Sequence, residues 1–234
     1  QLSDQARIYK LIVHPTNSDI VLAATNNGGI WRTTNGGTTF TKSTWLNLSN
    51  NQTGYSGCGW ADLEFKPDNP NIVYAARRSA CSGNSAVYKS TDGGATFNTA
   101  IHFGATADRI SIAVTPANAN KVYAIVAKTD RSMLDVYVSN DAGASFGYTS
   151  NATLPNMFVT DGTGGGGQGE YDNCITVSAT NANEIYVGGV NHWKSIDGGV
   201  SFSQITSGYD WSPGTLPRVH ADVHALEFAP GTNI

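Results

Sequence analysis

The chain has 234 residues, of which 14% are charged and 26 are glycine, and its net charge is -4 with a pI near 5.6. Low charge beside abundant Gly, Asn, Thr and Ser suits a turn-rich extracellular all-β protein, and the acidic balance offers no basic patch for nucleic acid. No stretch approaches the roughly 18 apolar residues of a membrane span, and the three cysteines form no C-x-x-C pair, which argues against a zinc or redox site.

From the N-terminus, KLIVHPTNSDIVLAAT reads as an apolar strand, a Pro/Asn/Asp turn and a second β-rich strand. A third short strand, GIWRTT, leads into the glycine turn of RTTNGGTTF, Arg32 to Phe40. The same order recurs in DLEFKPDNPNIVYAAR with AVYKST and KSTDGGATF, in SIAVTPANANKVYAIV with DVYVSN and VSNDAGASF, and in CITVSATNANEIYVGG with NHWKSI and KSIDGGVSF. HALEFAPGTNI begins a fifth copy. Four antiparallel strands per period of roughly 50 residues, with no helical pattern between them, are the unit of a β-propeller blade. The expected fold is all-β: a single propeller region over residues 1–234, with blades at about 6–45, 57–100, 108–150 and 170–206 and part of a fifth at 218–234. Propellers protect their edges by closing a ring. A chain ending inside a fifth blade therefore predicts a piece of a larger ring.

In each repeated turn an Asp or Asn stands before the glycines: Asn35, Asp92, Asp141 and Asp197. Such a side chain can accept bonds from backbone N–H groups two residues on, while glycine supplies positive φ. The aromatic that follows, Phe40, Phe97, Phe146 or Phe202, is expected to open the fourth strand and pin the hairpin between sheets. Asn35 can accept the same bonds but could not replace a catalytic carboxylate, so these four residues read as structural.

With the glycine turns at one end of each blade, the opposite rim is the place for a ligand. Candidates there are Trp60, Asp62, Asp108, Arg109, Glu170, Asp172, His192, His220 and Asp222. In HADVH, period-two alternation on a strand would set His220, Asp222 and His224 on one face, a set that could bind a transition metal or be hydrogen-bonded within the core. DGTGGGGQGEYDN, residues 161–173, lacks the ending of a phosphate loop and reads as a flexible loop over the rim; Glu170 and Asp172 beside it could hold calcium. Apart from that possibility no cofactor is expected. Folding the second repeat's first hairpin around Asp68 and Asn69 brings Cys58 and Cys81 within disulfide reach, which predicts an oxidising compartment. Cys174 would be a buried free thiol.

The pattern Ser/Thr-x-Asp-x-Gly-x-Ser/Thr-Phe resembles the Asp box, or BNR repeat, of sialidases, sortilin-type receptors, xyloglucanases and secreted bacterial propellers. The stretches GQGEYDN, VGGVNHW and HADVHAL resemble secreted propeller proteins of Bacteroidetes type, often type IX secretion substrates. This resemblance implies a secreted or cell-surface location and a rim that binds glycan or an extracellular protein, as sortilin-type propellers bind peptides. The alternative is a glycoside hydrolase related to the xyloglucan-cleaving double propellers, completed by blades beyond this chain. In those enzymes a catalytic Asp lies in an Arg-Thr-Asp-x-Gly-Gly hairpin; the matching position in AATNNGGIWR is Asn26, and an amide cannot act as a general acid or base. The Arg-Ile-Pro signature of sialidases is also missing. The sequence thus favours binding over hydrolysis.

Overall fold

The computed structural model describes residues 7–26, 28–45, 59–78, 85–209 and 216–228. The chain divides into two compact units, Gln1–Ala105 and Thr106–Ile234. In the first, β1 (Ile8–Val13), β2 (Val21–Thr25), β3 (Gly29–Thr33) and β4 (Thr41–Lys42) form one antiparallel sheet in chain order. A short strand β5 (Thr44–Trp45) follows. A second sheet takes β6 (Trp60–Phe65), β7 (Val73–Arg77) and β8 (Ala86–Ser90), and after β9 (Thr96–Phe97) it ends with β10 (Thr99–His102). The second unit holds β11 (Ala107–Val114), β12 (Val122–Lys128), β13 (Met133–Ser139) and β14 (Gly147–Tyr148) in a third sheet. Its other sheet is β15 (Cys174–Val177), β16 (Ile185–Gly188), β17 (His192–Ser195) and β18 (Ser203–Gln204). The fold is all-β, with one 3-10 turn at Pro116–Asn118 as the sole helix among the described residues.

Each unit has its own core. Leu22, Ile30, Leu63, Val73 and Phe97 meet in the first, and Tyr123, Ile125, Val136, Phe158, Ile185 and Trp193 meet in the second. The burial of these aliphatic and aromatic side chains between paired sheets is the main favourable term holding the strands in register.

The repeated turn is built the same way in all four sheets, with one difference from expectation. The N–H two residues beyond the Asp is capped by the preceding hydroxyl, while the carboxylate reaches four residues on. Ser90 Oγ accepts from Asp92 N and Gly94 N and donates to Asp92 Oδ1, which in turn accepts from Thr96 N at 2.8 Å. Ser139 with Asp141, and Ser195 with Asp197, repeat this network. In the first copy Asn35 Oδ1 accepts from Thr39 N at 2.9 Å, and its Nδ2 donates to Thr39 Oγ1, the reverse of the hydroxyl-to-carboxylate bond in the other three.

Every turn is docked within its own sheet, and the second turn of each unit is docked again across sheets. Gly36, Gly93, Ala142 and Gly198 donate their N–H to Asp19, Asn71, Asn120 and Asn183 in the first hairpin turn of the same sheet. Across sheets within a unit, Ser43 Oγ donates to Gly94 O at 2.6 Å and Thr149 Oγ1 to Gly199 O at 2.7 Å. The close approach explains the second glycine: at φ +81, a Cβ on Gly94 would lie 2.2 Å from Leu22 Cδ2.

Phe40, Phe146 and Phe202 stand directly before the fourth strand of their sheets, while Phe97 is set apart from it. Phe97 lies in β9, which pairs in parallel with β5, and the ladder resumes at Thr99. The pinning role is seen in two of the four: Phe97 is buried in the first core and Phe202 packs on the second. The first strand of a fifth copy is absent among the described residues. Residues 219–228 form no strand, and Val223 N instead donates to Gly189 O at 2.9 Å.

Candidate functional site

The second unit brings two of the predicted stretches together. The glycine loop is tied down rather than flexible: the Asn156 amide donates to Gly164 O and Gly166 O, Gln168 N to Phe158 O, and Gly169 N to Arg131 O. Gly169 is wedged so closely that a Cβ would lie 2.7 Å from Ala127 Cβ and 2.8 Å from Arg131 O. Beyond it, Arg109 clamps the backbone, its guanidinium donating to the carbonyls of Glu170, Tyr171 and Asn173 at 3.0, 2.6 and 3.2 Å. Arg109 is therefore a scaffold for the loop, its charge spent on three carbonyls.

Clamping drives Asp172 inward, where it is fully buried and neither carboxyl oxygen has a hydrogen-bond donor. Burial, then the neighbouring Asp222 carboxylate, pushes its pKa up to about 7, with Glu170 adding to the rise and Arg109 opposing it. A carboxyl raised this far keeps its proton well above the usual carboxylate range, and that proton can be shared with Asp222. Gln168 Nε2 holds Asp222 Oδ1 at 3.3 Å, and His224 Nδ1 stands 3.8 Å from Asp172 Oδ1. The His224 ring meets Tyr171 edge to face, with centroids 4.5 Å apart. Glu170 is drawn aside by Arg131 at 3.1 Å. The outer surface of this cluster is Tyr171, 55% exposed, with the half-exposed His224 side chain and the partly exposed Asp222.

The three side chains of HADVH are not set on one strand face. Asp222 sits at φ +71, a left-handed conformation that breaks the alternation, and His220 points its Nδ1 at Ala221 O, 2.7 Å away. Among the described residues no group of three or more His, Cys, Asp or Glu is arranged to hold a metal ion. His192 is half-buried, bonded through Nδ1 to Thr206 Oγ1 at 2.8 Å, and burial lowers its pKa. Asp108 is half-buried at the start of β11.

Trp60 and Asp62 belong to the first unit and are buried there. Trp60 packs edge to face on Tyr88, and Asp62 faces Lys10 at 3.6 Å. Asn26 accepts the backbone N–H of Arg7 at 2.8 Å and so closes a loop. Cys58 and Cys81 lie outside the described residues. Cys174 is a free thiol but only half-buried, its Sγ lying 3.5 Å from Val223 O. Gln168, within the GQGEYDN stretch, and Arg131, on a rim hairpin, position Asp222 and Glu170; their pairing with those partners follows from the chain path.

No protein-family model and no curated protein matches the chain. Solved structures do. The GH74 xyloglucanase from Xanthomonas campestris is 21% identical with a TM-score of 0.63, covering 91% of this chain and 31% of its own. The GH74 enzyme from Niastella koreensis is 25% identical with a TM-score of 0.58, covering 83% of this chain and 29% of its own. YCF48 from Cyanidioschyzon merolae is 10% identical with a TM-score of 0.56, covering 90% of this chain and 59% of its own. The chain thus spans about a third or less of the GH74 structures it matches. Together with the four antiparallel sheets, these likenesses establish the fold as part of a β-propeller.

Proposed function

We propose that this chain is part of a secreted or cell-surface β-propeller that binds glycan chains on the surface formed by residues 168–173 and 220–224. The observation that carries the reading is the Tyr171–His224 pair: two rings locked edge to face, open on their outer side and backed by buried Asp172. A fixed, half-exposed aromatic beside a carboxylate and an amide offers an apolar plane to a sugar face and acceptors to its hydroxyls. The resemblance to Asp-box propellers of the type IX secretion kind supports an extracellular setting, and the remainder of the protein's own ring would be its first partner. The reading needs no cofactor.

A glycan array of the protein tests it. Spots that fade with Tyr171→Ala and His224→Ala are expected; an array without spots, beside retained binding to an extracellular peptide library, would replace glycan with a protein ligand.

The carboxyl pair favours one second reading, a hydrolase of the GH74-like kind. Buried Asp172 cannot touch a substrate, so Asp222 would be the group that contacts it, with Asp172 behind it. Release of reducing ends from plant or microbial polysaccharides, abolished by Asp222→Asn, would establish this reading over binding alone.

A further inference from the structure

We propose that the outer edge of the third sheet carries a second carbohydrate site, distinct from the Tyr171–His224 surface, with Tyr148 as its platform. It rests on the reading above only for the class of ligand. Strand β14 covers β13 at Tyr137 and Val138 alone, so β13 runs on past its partner towards Met133. Residues 150–154 and 162–165 stand around that bare stretch and enclose a groove of about 750 Å³, within the roughly 300–1,000 Å³ of small-ligand sites.

The lining has the composition of a sugar site. Tyr148 is 63% exposed, and its ring is held 4.9 Å from the buried Tyr137 ring at 33°, which fixes a flat apolar wall. Asp135 and Asp130 bring carboxylates to the groove, and Asn151, Thr153 and Thr163 bring amide and hydroxyl groups. Asp135 Oδ1 is anchored by Val136 N at 2.8 Å, and Asp130 Oδ1 by Ser132. A pyranose pairs a C–H face with a rim of hydroxyl donors, and this wall and these acceptors match both. An anionic ligand would meet two carboxylates and, among the lining residues, the single cation Lys128.

An added peptide strand fits poorly. Val136 O already accepts from Thr149 N at 3.1 Å, and Met133 N donates to Asn156 Oδ1 at 3.1 Å, so the bare edge between them is too short for a ladder.

Gly165 supplies a clean way to close the groove. A Cβ there meets nothing within 4 Å, and its backbone is not left-handed. Isothermal titration of the full chain with cellotetraose, xylotetraose and chitotetraose tests the site. With the first surface disabled by Tyr171→Ala, saturable binding of at least one is expected, weakened at least about tenfold by adding Tyr148→Ala and abolished by adding Gly165→Trp. Both variants should melt as the wild type does, and binding at the groove should survive Tyr171→Ala. If Tyr171→Ala abolishes all binding while the two groove variants, with Tyr171 intact, bind normally, the groove is overturned and the first surface stands. If no tetrasaccharide binds the wild type, the groove is overturned as a sugar site, and the first surface is judged by its own array.

Discussion

Asp172 is the residue whose chemistry departs furthest from its type. Its native pKa of about 7 lies above the roughly 3.9 of an unfolded Asp. Between those values the folded chain holds a proton that the unfolded chain has released, so stability falls as pH rises through that window and levels off above it. Asp222 and Glu170 face the group as like charges and Arg109 as the opposing one, with His224 at its edge. Asp172→Asn removes the ionisation while keeping the shape. At pH 8 the variant is expected to be more stable than the wild type by about 1–4 kcal/mol, and the gain should shrink as pH falls and vanish near pH 3, below the unfolded value; chemical denaturation at both ends checks this. An equal effect at the two pH values would mean that the carboxyl is not buried in a charged neighbourhood. Sequence showed Asp172 as one acid among several on a rim. Its burial follows from the Arg109 clamp, a contact 61 to 64 residues distant in the chain, and such non-local contacts leave no local pattern.

At the scale of the element, the repeated turn was the most legible feature, because its hydrogen bonds join residues at most four apart. Asn35 makes the equivalent bonds to Thr39 with an amide in place of the carboxylate. What local pattern could not show is the second dock, where the turn of one sheet is gripped by the tail of the preceding one. This predicts unequal costs for the same substitution. Gly37→Ala incurs mainly the left-handed backbone penalty, since the nearest atom to a Cβ is Phe40 Cε2 at 3.7 Å. Its expected cost is about 1–2 kcal/mol. Gly94→Ala adds a collision with Leu22 at 2.2 Å, for a total of roughly 2–5 kcal/mol. Equilibrium urea unfolding of the two variants measures the difference; equal losses would show that the turn is not pressed against the neighbouring sheet. The HADVH segment failed as a strand for the opposite reason: its alternation was genuine, but the left-handed Asp222 and the dock of Val223 on Gly189 override it.

At the scale of the whole molecule, the strand at the end of the first sheet is telling. IYKLIV has apolar residues on both faces, the pattern of a strand covered on both sides. Ile12 packs on the first core, yet Ile8, Leu11 and Val13 remain 48%, 53% and 49% exposed. A strand whose residues call for two covers and which has one is what a portion of a ring would present. The GH74 structures, of which this chain covers about a third or less, are correspondingly longer. Exposed apolar side chains on a terminal strand invite association between chains. The 234-residue chain alone is therefore expected to self-associate as its concentration rises, and Leu11→Ser with Val13→Ser to suppress this without lowering the melting temperature, because neither side chain belongs to the buried core. Sedimentation velocity across a hundredfold concentration range reads the first effect and calorimetry the second. A wild-type chain that stays monomeric throughout would show that the face of β1 tolerates water, and would remove the physical reason for seeking its cover in the remainder of the ring.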